Sequence, residues 1–540
     1  MISRLELPPS RAVLVLVALA FALPGLVGHD PWKSFDAIAI EIVSQMHRTG
    51  DWLVPRIAGE PWIEDPPLYH WAGLAFAKAF GWLLPLHGAV RLASGLCVLA
   101  ALWFVYLAAR HWAPEAERRA CGAAAALVLA GSTGLIVHAH EAVPDLATLA
   151  AICAAFACCA LAERRPLAAG GGFGVSLGIA FLSAGPVAPA ALLLAVLASH
   201  AACAPLRTPR ALPFIGAAVV AGVIVSASWP LALALRAPEL AAQWWSSASQ
   251  PRGALLANLR YFVVTGSWFA WPAWPLALWA LWNRRRLLHE PRTFIPLAAF
   301  ALLLAAVSFA GPAQDINCIV LLPPLALLAA QGVGALRRGA ANALDWFGVM
   351  TFSFFAALVW LGYVAMMTGV PPRIARNFAK TTPGFAPEFE LLPFVIALAL
   401  AAGWLVLVAW TRPAPIRGVL RWAGGIALLW GTFATLWLPW ADYQKSYRPV
   451  ALQIKSKIPA GAKCVARSGL GNAQRAALGY HAGIHTQPFN RSKPAACPLL
   501  IVQGHPQHER DAPGAGWTKL ADVGRPRDRD ERFRLYQVRP

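Results

Sequence analysis

Charge is what this chain has least of. Of its 540 residues 13% are Asp, Glu, Lys or Arg and 58% are apolar, whereas a soluble domain carries about 25% charged residues. That balance excludes a soluble enzyme and a soluble enzyme on a single anchor. Acid is scarcer than base, 26 against 46, for a net charge of +20. None of the nine cysteines forms a Cys-x-x-Cys pair, so no structural zinc site of that spacing is present. A nucleotide-sugar site is also missing. Asp528-Arg-Asp530 has the right acid spacing but stands in a charged terminal turn, and no dinucleotide-type unit surrounds it.

The apolar residues lie in long runs. A bilayer crossing needs about 20 such residues. Thirteen runs qualify: 11–28, 91–110, 119–138, 143–162, 168–184, 186–204, 211–234, 266–283, 293–311, 317–336, 346–369, 391–411 and 420–440. The first follows a basic start without a small-residue cleavage site, so it reads as an uncleaved helix. The arginines explain the net charge. Arg110, Arg118, Arg119, Arg164, Arg165, Arg207, Arg210, Arg284 to Arg286, Arg337, Arg338, Arg412 and Arg417 occupy every other loop. Cytoplasmic loops collect such residues; nucleic acid is therefore not expected as a partner. Thirteen spans place the C-terminal tail outside with the arginine-poor loops. Gly170-Gly-Gly-Phe-Gly174 opens a span, where small residues serve close packing.

The fold class expected is an all-α polytopic bundle with a small external α/β domain. Residues 1–440 form the membrane domain and 441–540 the tail domain. In the tail, alternating apolar runs at 463–466, 499–502 and 532–538 read as strands, and 451–457 and 473–479 as helices. Cys464 and Cys497 are the two cysteines outside apolar runs and form a disulfide in an oxidising exterior.

The scarce acids are not scattered. The first external loop, 29–90, holds Asp36, Glu41, Asp51, Glu60, Glu64 and Asp65. Two amphipathic stretches, 36–48 and 66–81, read as helices lying in the membrane interface. The run Asp36…Glu41…Gly50-Asp-Trp-Leu-Val-Pro55…Glu64-Asp-Pro-Pro67…Tyr69…Trp71…Arg91-Leu92 resembles the start of the lipid A aminoarabinose transferases and of the wider protein-mannosyltransferase-like family. These are GT-C membrane glycosyltransferases. Phe35-Asp36 matches the acidic pair of that family, Glu64-Asp-Pro66 its Glu-Lys-Pro, and Pro144-Asp-Leu146 its Leu-Asp-Pro. Arg91 and Arg236 match family arginines. The chain departs from the aminoarabinose enzymes at Ser183-Ala-Gly185 and at 310–317, where those enzymes carry lysines.

The resemblance implies a bacterial inner-membrane glycosyltransferase with a periplasmic tail domain. It would move a sugar from a polyprenyl phosphate to a lipid, glycan or protein acceptor, with membrane lipids as further partners. Such transfer needs a base, cations for the leaving phosphate and an apolar groove. Asp36, at a helix start that favours its ionised form, is the expected base, with Glu64 and Asp145 as further catalytic acids. Arg91 and Arg236 are expected to hold phosphate or substrate, with Arg252 and Arg260 behind them. Glu41, Asp65, Tyr69 and His140 complete the expected substrate-binding set. His138, His140 and Glu141 leave a divalent cation open as a cofactor, although i,i+2 side chains diverge on a helix. The alternatives are a non-catalytic scaffold that binds lipid-linked sugar and a polytopic transporter.

Overall fold

The computed structural model describes residues 9–250, 254–462, 464–490, 497–505, 507, 513–526, 528 and 530–539. Among these, the chain begins with α1 (Arg11–Ala22), the paired helices α2 (Phe35–Thr49) and α3 (Leu68–Phe80), and a two-stranded β1–β2 tab (Arg56–Ile57, Glu60–Pro61) between them. The bundle continues through α4 (Leu86–Trp112), α5 (Arg118–Ala130), the single turn α6 (Leu135–His138), α7 (Asp145–Leu161), α8 (Pro166–Ala184), α9 (Val187–Ala202) and α10 (Ala211–Arg236). It then runs through α11 (Pro238–Ser249), α12 (Leu255–Phe269), α13 (Ala273–Asn283), α14 (Pro291–Ala310), α15 (Leu322–Val333), α16 (Arg338–Thr368), α17 (Pro372–Thr381), α18 (Leu391–Trp410) and α19 (Arg417–Leu436). Eight helices among the described residues are long and apolar enough to cross a membrane, and α1, α7 and α9 are shorter apolar helices. This is a multi-pass membrane protein. α10 and α18 leave most of their apolar side chains exposed, among them Val219, Ile224, Leu392 and Leu405, as helices facing lipid do.

Each predicted run contains a helix, the first ending early at Ala22, and two are broken. The run 266–283 is α12 followed by α13, interrupted at Trp271-Pro272, where proline supplies no N–H. The backbone N–H groups of Thr133 and Gly134 donate to the carbonyls of Trp271 and Phe269, at 3.1 and 2.9 Å. A neighbouring turn thus satisfies the groups that the break frees. The run 119–138 is helical to Ala130 and then turns through Gly131 to Gly134. The glycine-rich run on α8 permits close packing on α10: a Cβ at Gly170 or Gly174 would lie 2.2 Å from the carbonyl oxygen of Phe214 or Ala218.

Beyond α19 the chain passes α20 (Leu438–Lys445) and α21 (Arg448–Lys457) into the tail domain. There β3 (Val465–Ser468), α22 (Asn472–Ala482), β4 (Thr486–Pro488), β5 (Leu499–Gly504), β6 (Trp517–Val523) and β7 (Arg532–Val538) form a five-stranded sheet in the order β4-β3-β5-β7-β6. β3 is parallel to β4 and β5, whereas β7 is antiparallel to β5 and β6. Cys464 and Cys497 are joined by a disulfide, with their Cα atoms 5.4 Å apart.

One expectation needs correcting. α2 is not an interface helix resting on lipid: Asp36, Ala37 and every residue from Ala39 to Met46 are buried. Its faces pack on α3 and α4 below and on α22 above. The tail domain is clamped to the first loop by ion pairs. Glu60 meets Arg467 at 2.8 Å and also Arg475, and Lys33 meets Glu531 at 2.9 Å. His87 Nδ1 lies 2.9 Å from Tyr480 Oη.

Closing a loop of this separation, 33 residues, stabilises a fold by roughly 3–4 kcal/mol on the chain-entropy account. The double variant Cys464→Ser/Cys497→Ser is therefore expected to expose the tail domain to limited proteolysis at a lower temperature than wild type. An unchanged protease midpoint would show that the bridge adds nothing to the stability of this domain.

Candidate functional site

Two layers of polar residues meet where α2, α4 and the α6–α7 turn converge. The lower layer is centred on Asp36 and Arg91, both wholly buried. Arg91 donates from Nε to Asp36 Oδ1 at 3.0 Å and from Nη2 to Oδ2 at 2.7 Å. Two further donors go to the carbonyls of His29 and Asp30, each at 2.9 Å. Asp36 also accepts the backbone N–H of Trp32 at 3.0 Å and of Ala142 at 2.7 Å. Burial alone would raise the pKa of Asp36, but the Arg91 guanidinium overrides this and leaves it lowered. Beside them, burial and then Arg91 push His29 down to about 3.

These partners account for both residues. Asp36, expected as the base, has each oxygen engaged and no exposed surface. Arg91, expected to hold phosphate, is spent on Asp36 and two carbonyls. Their shared work is to position the turn that includes Ala142. Tyr69 and His140 belong to the same layer rather than to a substrate surface. Tyr69 Oη donates to Ser94 Oγ at 2.6 Å, and Ser94 donates to the Glu141 carbonyl at 2.7 Å. His140 places Nδ1 and Nε2 2.7 Å from the carbonyls of Ile136 and Phe21 and stacks on Trp430 at 4.6 Å. Glu41 lies elsewhere. It is wholly buried beside Gly479 of α22 and accepts from Gln45 Nε2 at 2.7 Å and Ala58 N at 3.3 Å. Burial raises its pKa to about 7; its hydrogen bonds stay within the first loop, and its carboxylate packs against Gly479 of the tail domain.

The upper layer carries the acids that the turn presents. His138 Nδ1 is 3.0 Å from Glu141 Oε2, and its Nε2 is 3.7 Å from Asp315 Oδ2 across the bundle. Asp145, half-buried at the start of α7, and Glu64 are charged neighbours of Asp65. Burial first, then these two acids, raise the Asp65 carboxyl to about 7. Five carboxyls and one imidazole thus come from three chain segments, 64–65, 138–145 and the stretch at Asp315. Two exposed cations stand at the rim. Lys445 lies over the Trp32 ring at 4.3 Å with Glu141 as its charged neighbour. Arg236 approaches Asp51 at 3.6 Å and is 63% exposed. Sequence reasoning had no signal for Lys445, which follows the last span by a few residues. Arg252 lies outside the described residues. No group of three or more His, Cys, Asp or Glu side chains among the described residues has the geometry of a metal site.

An apolar groove of about 370 Å³ lies between α9 and α14. Val187, Ala191 and Leu194 of α9 face Leu302, Ala306 and Phe309 of α14 across it. Asn258 Nδ2 pins the end of α14 by donating to the carbonyls of Ser308 and Gly311, at 3.0 and 2.8 Å. The chain then leads directly to Asp315.

No family model matches the chain. It is 26% identical over 427 residues to the undecaprenyl phosphate-α-4-amino-4-deoxy-L-arabinose arabinosyl transferase of Pectobacterium atrosepticum, covering 74% of this chain and 70% of that one. The enzyme of the same name from Aeromonas salmonicida is 27% identical over 423 residues, 74% and 71% of the two chains. The fold is that of the crystal structure of ArnT from Cupriavidus metallidurans bound to undecaprenyl phosphate, with a TM-score of 0.68 at 18% identity over 97% and 96% of the chains. The apo structure of that protein gives 0.66 at 17% identity.

Breaking one partner of a buried ion pair costs about 3–5 kcal/mol, because the other charge is left without compensation. Arg91→Ala and Asp36→Ala are each expected to lower the thermal midpoint of the detergent-purified chain sharply. The double variant should be less unstable than the sum of the two. Midpoints that add without coupling would show that the pair is not the anchor described.

Proposed function

We propose that this chain, a membrane glycosyltransferase of the GT-C class, moves a sugar from a polyprenyl-phosphate donor to a lipid acceptor at the periplasmic face of a bacterial inner membrane. The observation that carries the reading is the gathering of Glu141, Asp145 and Asp315 about His138, with Asp65 and Glu64 joined to it through Asp145. The arginine-rich loops alternate with the loops that carry the acids, which supports an outer-face location for the acids.

In this reading the groove between α9 and α14 takes part of the polyprenyl tail, which brings the sugar phosphate to the acids. Lys445 and Arg236 are the cations placed to neutralise the leaving phosphate. The acids meet the sugar and the acceptor. The relatives are named for a sugar that carries an amine, and a cluster of carboxyls suits a cationic sugar by charge. Asp65 is the base in place of Asp36. Its pKa of about 7 leaves a substantial carboxylate fraction at neutral pH and makes it a stronger proton acceptor than an ordinary carboxylate. It stands where the resembling enzymes have lysine, so base strength here comes from burial among acids. Glu64 and Asp145 keep that pKa raised. The scaffold alternative would leave this tuned carboxyl without a use.

The experiment is transfer of labelled sugar from polyprenyl-phosphate donors by the full chain in membranes. Asp65→Asn is expected to lower the rate by roughly 10²–10⁴-fold, the span of general-base contributions. For wild type, the rate should rise with pH through about 7, as Asp65 loses its proton. The same raised pKa means that the folded chain holds this proton to higher pH than the unfolded chain does. Stability therefore falls between the ordinary carboxylate range and about pH 7, and Asp65→Asn should remove that slope. Full activity in Asp65→Asn would end its assignment as the base. No turnover of any donor by wild type, with donor still bound, would favour the scaffold.

A further inference from the structure

A second groove lies on the opposite half of the bundle, away from the acids. It encloses about 350 Å³ between α1 and α4, with one residue of α5 at its floor. Its walls are Leu14, Ala18, Leu102, Trp103 and Tyr106, and at one end stand Arg11 and Arg110. Trp103, 57% exposed, stacks on Tyr106 at 5.9 Å and forms an aromatic edge to the groove.

Three features say what fits it. The lining is apolar except at the arginine end, so the occupant has one charged end and a hydrocarbon body. Neither Arg11 nor Arg110 forms an ion pair among the described residues, although Arg118 eight positions on has Glu115 as its partner. Among the described residues, the two guanidiniums therefore offer positive charge that no acid neutralises. Finally, the α4 wall runs from Leu99 to Arg110. At about 1.5 Å per residue that is roughly 16 Å, half of a hydrocarbon core about 30 Å thick. The groove is as deep as one leaflet, and its arginines stand on the cytoplasmic side.

We propose that this groove is a binding site for an anionic glycerophospholipid of the cytoplasmic leaflet. Arg11 and Arg110 hold the phosphate of the headgroup, and an acyl chain lies along Leu14, Ala18, Leu102 and Trp103. The site is separate from the one that takes the sugar donor: it occupies the other leaflet and shares no residue with it. The proposal does not depend on which sugar or acceptor the chain uses. Its occupant also fills the seam between α1 and α4, and α1 is the helix whose Phe21 carbonyl faces His140.

The test is native mass spectrometry of the full chain, purified in a mild detergent and titrated with phosphatidylglycerol or phosphatidylethanolamine. Wild type is expected to bind one phosphatidylglycerol in clear preference to phosphatidylethanolamine. Each arginine near an anionic lipid is worth roughly fivefold in affinity, so Arg11→Gln/Arg110→Gln should bind phosphatidylglycerol roughly 25-fold more weakly. Arg164→Gln/Arg165→Gln removes two charges from the same membrane face outside the groove and should bind as wild type does. Ala18→Trp fills the groove without altering charge and should also lose the lipid. Equal binding of both phospholipids, equal loss in the Arg164/Arg165 control, or polyprenyl phosphate taken in place of phosphatidylglycerol would each overturn the proposal. All four proteins are first compared by helical content and thermal midpoint, so a loss of binding is counted only in a folded chain.

Discussion

The ion pair of Asp36 and Arg91 is the constraint on which the rest of the outer face depends. Each charge is fully removed from water, a state that is tolerable only because every oxygen and nearly every N–H is matched. The matching groups come from places far apart in the chain: Trp32, the carbonyls of His29 and Asp30, and Ala142. A pair satisfied in this way holds the loop after α1, the start of α2, α4 and the α6–α7 turn in one arrangement. Tyr69, Ser94 and His140 extend the same hold to Glu141 and to the end of α1.

Above that anchor the electrostatics change sign. The lower layer pairs a carboxylate with a guanidinium and keeps it ionised. The upper layer places carboxyls beside one another, and like charges raise the cost of ionisation. Asp65 is the residue on which this falls most clearly. One fold thus holds one buried carboxyl ionised beside a guanidinium and raises the pKa of another by burial beside other acids.

The tail domain contributes to this arrangement from the other side. It covers α2 and clamps the first loop through Glu60, Lys33 and His87. A helix with the pattern of an interface helix is therefore buried between two bodies. Its amphipathic stripe was legible, but the partner of that stripe was not, because lipid and protein present similar apolar surfaces to a helix.

What the sequence determined by itself was the set of local properties. Run length and hydropathy locate the helices, since a span must satisfy its own backbone wherever it lies. Arginine placement orients them, and the strand and helix pattern of the tail follows from periodicity. The resemblance singled out Asp36, Glu64, Asp65, Arg91 and Asp145 as a group. Only the tertiary structure divided that group into Asp36 and Arg91, consumed by each other, and Glu64, Asp65 and Asp145, set against each other. It also brought Asp315 to His138 and Lys445 to Glu141, across separations with no periodic signature. The physical reason is that hydropathy belongs to a segment, whereas the role of a charged group belongs to whichever groups stand within a few ångströms of it.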